Sequence, residues 1–243
     1  METFIQALRE AVRLLVTLDP YVLEILLLSV RVSGLAIVLA VAAGLPVGIA
    51  VGLGRFPGRR IAVALVHTGF ALPPVVVGLF VYMMLSRRGP IGGLDLLFSP
   101  GAMTAAQALL AAPYVAGVSL AAVQAVPGDV RLQARALGAG RLRSLWMHVR
   151  EARVGIVAAV IAGFGAVISE VGAAMMVGGN ILGETRVLTT AIVLETRRGN
   201  FALAMALGLI LLAIVFVINI LLARVQSRGG DGWRRAASER PWA

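Results

Sequence analysis

The chain contains no cysteine, and every one of its 22 lysine-or-arginine positions is arginine. Without cysteine, a disulfide framework and thiolate metal sites are excluded. Without lysine, the phosphate-gripping GK[ST] motif is absent, so the chain is not a P-loop ATPase on its own. Charge of either sign is scarce. Charged residues are 14% of the chain against about 25% in soluble domains. Hydrophobic residues are 59% where about 45–50% is usual. A soluble fold could not hide that surplus without large exposed apolar patches. Of the two arrangements that 243 residues allow, one medium-sized domain or a bundle of about five or six membrane spans, composition selects the bundle. The net charge of +10 does not indicate a nucleic-acid binder, because the arginines punctuate long uncharged runs instead of lining one polar face.

Five runs are long or apolar enough to be read as spans. Val32 to Gly54 has 23 residues without a charge, and Tyr21 to Arg31 extends it outward. Ile61 to Ser86 has 26, Gly101 to Gly128 has 28, and Phe201 to Ala223 has 23. Val154 to Ser169 is shorter, at 16, and is followed by Glu170. Residues 1–20 carry Arg9, Glu10, Arg13 and Asp19 and lack a small-residue cleavage site. They read as an amphipathic helix at the membrane surface rather than a cleaved signal. The membrane body is residues 21–223, and 224–243, with Gly229, Gly230 and Gly232, read as a disordered cytoplasmic tail. Fourteen arginines flank one side of the spans and seven the other. The richer side is the cytoplasmic one, which puts the N-terminus outside and the C-terminus inside.

Several features bear on function. Gly44, Gly48 and Gly52 recur at four-residue spacing, which fits close helix packing either within the chain or at a subunit contact. Pro73-Pro74 interrupts the second run with twelve residues on either side. The freed backbone groups need protein or water there, and broken helices at mid-depth line transport paths; a simple kink is the other reading. Segment 129–153 is polar and arginine-rich. Leu132, Ala136, Leu142, Leu145 and Trp146 form an apolar stripe on two short helices that turn at Gly138-Ala139-Gly140. A cytoplasmic protein partner would need that stripe; a hairpin lying on lipid headgroups is the alternative. Glu170 falls some 24 Å along its helix, where an acid must be paired or wet, and Arg186 or Arg31 are its candidate partners. Gly178-Gly179-Asn180 and Thr189-Thr190 lie in an irregular apolar stretch that reads as a re-entrant element or gate. Glycine amides and threonine hydroxyls exposed there would suit an oxyanion. His67 and His148 have no companions at ligand spacing, so no metal site or catalytic set is expected.

The segment Ala134-Arg135-Ala136-Leu137-Gly138-Ala139 resembles the EAA loop of ABC-importer permeases. It departs from the pattern at Leu132 and Gln133, where that family has Glu-Ala, and the closing Leu-Pro is replaced near Arg150 to Arg153. Leu72 to Gly78, Ser86 to Gly92 and Ile168 to Ala173 look like the molybdate, tungstate and sulfate permeases. Ile168 to Ile181, followed by Thr185 to Thr196, is most similar to tungstate permeases.

The resemblance implies an all-α, type I importer-like permease of the prokaryotic inner membrane. It implies a homodimer served by two cytosolic ATPase subunits and an extracytoplasmic oxyanion-binding protein. ATP and Mg would sit on the ATPase, with no cofactor and no catalysis on this chain. Docking would fall to Ala134, Arg135, Ala136, Leu137, Gly138, Ala139 and Arg141. The path or gate would involve Pro73, Pro74, Gly78, Ser169, Glu170, Gly178, Gly179, Asn180, Thr189 and Thr190. Tungstate is the expected ion, with molybdate and sulfate as alternatives. An autonomous transporter or channel would show internal repeats or paired intramembrane charges, and an intramembrane enzyme would show a nucleophile–base or metal set; the sequence offers neither.

Overall fold

The computed structural model describes residues 2–17 and 19–238. Among them are eleven α-helices and no strand. In chain order the helices are α1 (Glu2–Val16), α2 (Pro20–Leu53), α3 (Arg59–Gly69), α4 (Pro74–Leu85), α5 (Pro100–Ala125), α6 (Asp129–Ala136), α7 (Arg141–Glu151), α8 (Arg153–Ile168), α9 (Gly172–Gly178), α10 (Leu188–Arg197) and α11 (Phe201–Ser238). The all-α expectation holds.

Local sequence explains where these helices begin. Asp19 Oδ1 accepts from the amides of Tyr21 (3.0 Å) and Val22 (3.2 Å), with Pro20 at the first helical position of α2. In the second run, Pro73 is the N-cap of α4 and Pro74 its first residue. The proline pair that stops one helix therefore starts the next. Arg59, opening α3, reaches back to donate to the carbonyls of Val51 (2.9 Å) and Gly52 (3.3 Å), the orphan acceptors at the end of α2.

The helices pack as two compact units, and α2, α5, α8 and α11 each contribute to both. The first comprises the chain up to Leu39, Ala71–Ala111 and Phe164–Val217. Val77 and Val81 of α4, Met103 and Ala106 of α5, and Ala173 and Val177 of α9 form one core there. Gly78 must be glycine, since a Cβ would lie 2.7 Å from the Cα of Ala173. Ala11 of α1 joins Val22, Ile25, Leu188, Leu207 and Ile210 in a second core. The rest of α1 leaves Ile5, Leu8, Val12 and Val16 exposed.

The second unit comprises Ala40–Phe70, Ala112–Gly163 and the residues from Ile218 on. Here Gly44, Gly48 and Gly52 face the backbone and side chains of Ala112 to Val123 on α5. A Cβ on Gly44 would stand 2.5 Å from the Ala112 carbonyl oxygen. Of the two readings of this glycine row, packing within the chain is the one observed.

Three helices, Pro20–Leu53, Pro100–Ala125 and Phe201–Arg224, are long and apolar enough to cross a membrane. With the broken pair α3–α4 counted as one span and the short apolar helix α8, which follows α7 after a 60° bend, as another, the described residues hold up to five, the expected number. Leu35, Val38, Leu212 and Phe216 stand exposed on these helices, a surface that suits hydrocarbon and not water. α11 continues as helix to Ser238, past the start of the expected tail at residue 224. The last part of that tail, 239–243, lies outside the described residues.

Candidate functional site

In the second unit, α6 and α7 form the expected hairpin. Asp129 in the first turn of α6 complements the helix dipole. Gly138 takes φ 80°, its amide donating to the Arg135 carbonyl (2.9 Å) while the Ala139 amide donates to that of Ala134 (2.9 Å). This pair of bonds is the Schellman ending, and the left-handed residue it needs is glycine. A Cβ at Gly138 would meet nothing within 4 Å, so conformation and not space selects glycine.

The outside of the hairpin mixes large apolar side chains with exposed Gln133, Arg135, Arg141, Arg143 and Arg150. Leu132, Ala136, Leu137, Leu142, Leu145 and Trp146 are exposed, with Leu137 and Leu142 at 86% and 84%. The buried side of α7 carries Ser144 and His148. That many large apolar side chains left in the open beside arginines fit an added partner. Arg150 lies 5.3 Å over the Trp146 ring, and Arg135 and Arg141 edge an open cleft of about 660 Å³ together with Arg55 and Asp129. Gly138, Arg135 and Arg141 are exposed as expected of docking residues, and Ala139 is half-buried. Ala134 is not available: it is buried at 2% exposure, turned away from the outer face by its position on α6.

The second group of expected residues lies in the first unit, around α9. Glu170 is buried, and its partner is not an arginine. Its Oε1 accepts from the Ala173 amide (2.8 Å), so the carboxylate closes the N-terminus of α9, where free amides and the helix dipole satisfy a negative charge. Arg186 instead clasps Asn180, donating to its Oδ1 (3.2 Å) and its carbonyl (3.3 Å). Gly179 at φ 72° and Asn180 at φ 53° end α9 in left-handed conformations.

The hydroxyls expected to face an oxyanion are committed elsewhere. Thr189 donates to the Glu170 carbonyl (3.0 Å), and Thr190 both donates to the Val187 carbonyl (3.0 Å) and accepts from its amide (3.1 Å). Gly178 is buried against Met103, and its carbonyl accepts from Thr185 Oγ1 (2.5 Å). These residues shape the loop instead of offering it free donors. Ser169 is exposed and donates to the Gly165 carbonyl (2.8 Å); Pro73 and Pro74 are exposed.

Two polar clusters were not anticipated. Ser29, Ser33, Gln107 and Thr189 line a cavity of about 10 Å³, with the Gln107 Oε1 buried and unpartnered. Ser29 accepts from the Leu188 amide there (2.8 Å). The cavity has room for about one water. Buried Glu195, at the end of α10, pairs with Arg198 (3.0 Å) and accepts from Asn200 Nδ2 (2.8 Å). Serine and glutamine inside uncharged runs were the available signal, and a search for charges alone passes over them.

Residues 44–229 match the family described as binding-protein-dependent transport system inner membrane component, and the chain belongs to that family. It is therefore a membrane component of a transport system. Among its relatives, a probable anion ABC transporter permease protein of Haloferax volcanii is 46% identical, covering 86% of this chain and 92% of the relative. The tungstate uptake system permease protein of Peptoclostridium acidaminophilum is 40% identical over 93% and 99% of the two chains. The molybdenum transport system permease protein of Escherichia coli K12 is 29% identical over 83% and 93%. The inward-facing MetNI methionine ABC transporter shares the fold, with a TM-score of 0.70 at 20% identity, over 89% of this chain and 98% of that one. The fold is that of an ABC-importer permease.

Proposed function

We propose that the chain is the transmembrane subunit of an ATP-driven importer of tetrahedral oxyanions, and that its ion is tungstate. The observation that carries the docking part is the hairpin's exposed row of leucines and Trp146, set among arginines. The ion is inferred from the 40% identity to a tungstate permease along nearly the full length of both chains. Two copies of the chain pair, each hairpin seating an ATPase subunit that holds ATP and Mg. The N-terminus is extracytoplasmic and the C-terminus cytoplasmic. Closure of the ATPases draws the hairpins together and opens the path outward, where a binding protein releases its ion; hydrolysis resets the path.

Neutral groups dominate the loop around α9, and Arg186 and Glu170 are both spent on it. Selectivity therefore falls to the binding protein, and this subunit supplies passage. Uptake in vesicles containing the chain, its ATPase and its binding protein tests the reading, with tungstate, molybdate and sulfate competing at equal low concentration. The expected result is ATP-dependent uptake that prefers tungstate. A preference for molybdate reassigns the ion. Uptake undiminished with a hydrolysis-dead ATPase overturns the mechanism.

A further inference from the structure

The end of α5 has a defect written into its covalent structure. In a continuing helix the Val123 carbonyl would accept from the amide of residue 127, but that residue is Pro127 and has no N–H. Val123 is wholly buried, so water does not reach it in place of the lost donor. The donor comes from 25 residues further on: His148 Nε2 lies 2.8 Å from the Val123 carbonyl oxygen, and the histidine is 2% exposed. A carbonyl only accepts, so the ring nitrogen that faces it, Nε2, carries a proton. Its Nδ1 is buried without a partner among the described residues, so among them this contact to α5 is the one hydrogen bond the ring makes.

His148 sits on α7, on the side opposite the exposed leucines. One turn before it Ser144 is buried, and one turn after it Ala152 is buried. At the start of α8, Gly155 closes on Ala122 of the same α5 turn, where a Cβ would strike the Ala122 side chain. The last turn of the membrane helix is thus gripped from the hairpin side by a directional bond to its orphan carbonyl and by close packing.

We propose that His148 is the strut through which the α6–α7 hairpin moves α5, a positioning residue that converts movement of the docked ATPase into opening of the path. The inference rests on the importer reading above. A dispersion contact slides under load, whereas a buried hydrogen bond to a fixed carbonyl resists displacement, because breaking it leaves donor and acceptor dry.

The test measures tungstate uptake and ATP hydrolysis together in vesicles holding the complete complex. His148→Met keeps bulk and removes the donor. Ions imported per ATP should fall by about tenfold while hydrolysis stays within about twofold, the scale set by loss of one buried hydrogen bond. His148→Gln, which retains an N–H at similar reach, should recover most of the coupling. Pro127→Ala separates linkage from mere stability, since it returns a backbone donor to Val123 without rejoining α7. In the His148→Met background it should raise thermal stability and leave coupling low. Should His148→Met alone fail to assemble, this double variant carries the coupling measurement. Unchanged coupling in His148→Met overturns the proposal, as does full recovery by Pro127→Ala. If the unmutated complex imports no oxyanion with ATP, the importer reading fails instead. The bond itself is still tested then, by ¹⁵N NMR of the His148 Nε2 proton in the purified chain carrying His67→Gln.

Discussion

Glu170 sits in a segment where an unpaired carboxylate is costly, and its partner is backbone. The sequence shows which charges are available to pair but not which amides a helix start will leave free, so Arg186 or Arg31 were the natural candidates. The presence of α9 changes the arithmetic, because its first turn offers unpaired N–H groups beside the carboxylate. Glu170→Ala should lower stability by about 1–2 kcal/mol, the range for losing a helix cap. Glu170→Gln, which keeps an acceptor oxygen, should lose clearly less. Thermal unfolding of the purified chain in detergent reads the difference. An alanine variant as stable as its parent would mean the contact to Ala173 carries no weight. The same reasoning applies to Thr189 and Thr190: hydroxyls are visible in a sequence, whereas the carbonyls that consume them are brought near only by folding.

At the scale of elements, much was legible. The apolar runs became α2, the α3–α4 pair, α5, α8 and α11, because uncharged length is a property of the chain itself. The turn at Gly138 was legible for the same reason, since a glycine between two amphipathic stretches marks a left-handed ending. What stayed hidden was which face of the hairpin turns inward. Ala134 was expected outside and is buried, while the polar Ser144 and His148 are inside. Gly138→Asp now has a sharper expected outcome. Aspartate enters the left-handed region more easily than most residues, and no neighbouring atom obstructs it. The hairpin should therefore persist, and the added charge should act at the docking surface. Association with the ATPase should fall by about tenfold or more, with the chain destabilised by only about 1 kcal/mol, the low end of the cost of a non-glycine left-handed residue. Pull-down alongside a melting curve checks both. Normal association would place docking elsewhere.

At the scale of the whole molecule, the absence of cysteine makes topology directly measurable. Asp95→Cys lies between α4 and α5, and Leu142→Cys lies on the hairpin. With five spans and an outside N-terminus, a membrane-impermeant thiol reagent should label position 95 in intact cells and position 142 only after the membrane is opened. Reversed labelling would invert the orientation drawn from the arginine count. The five-span number needs the broken pair α3–α4 to be counted as one span and the 16-residue α8 as another, and Pro73-Pro74 shows why a run with one hydropathy can hold two helices.

The arrangement of α7 turns the usual meaning of a conservative substitution around. In a protein bathed in water, a polar replacement at Leu142 or Trp146 would be a mild surface change, and an apolar replacement at Ser144 or His148 would pass as filling a core. On the proposed docking role, the first kind would leave the isolated chain untroubled and injure its assembly, while the second strips donors from a buried polar seam. Variation along these eleven residues is therefore to be judged by which neighbour each position serves, the membrane helix behind it or the subunit in front, and not by the polarity of the residue alone.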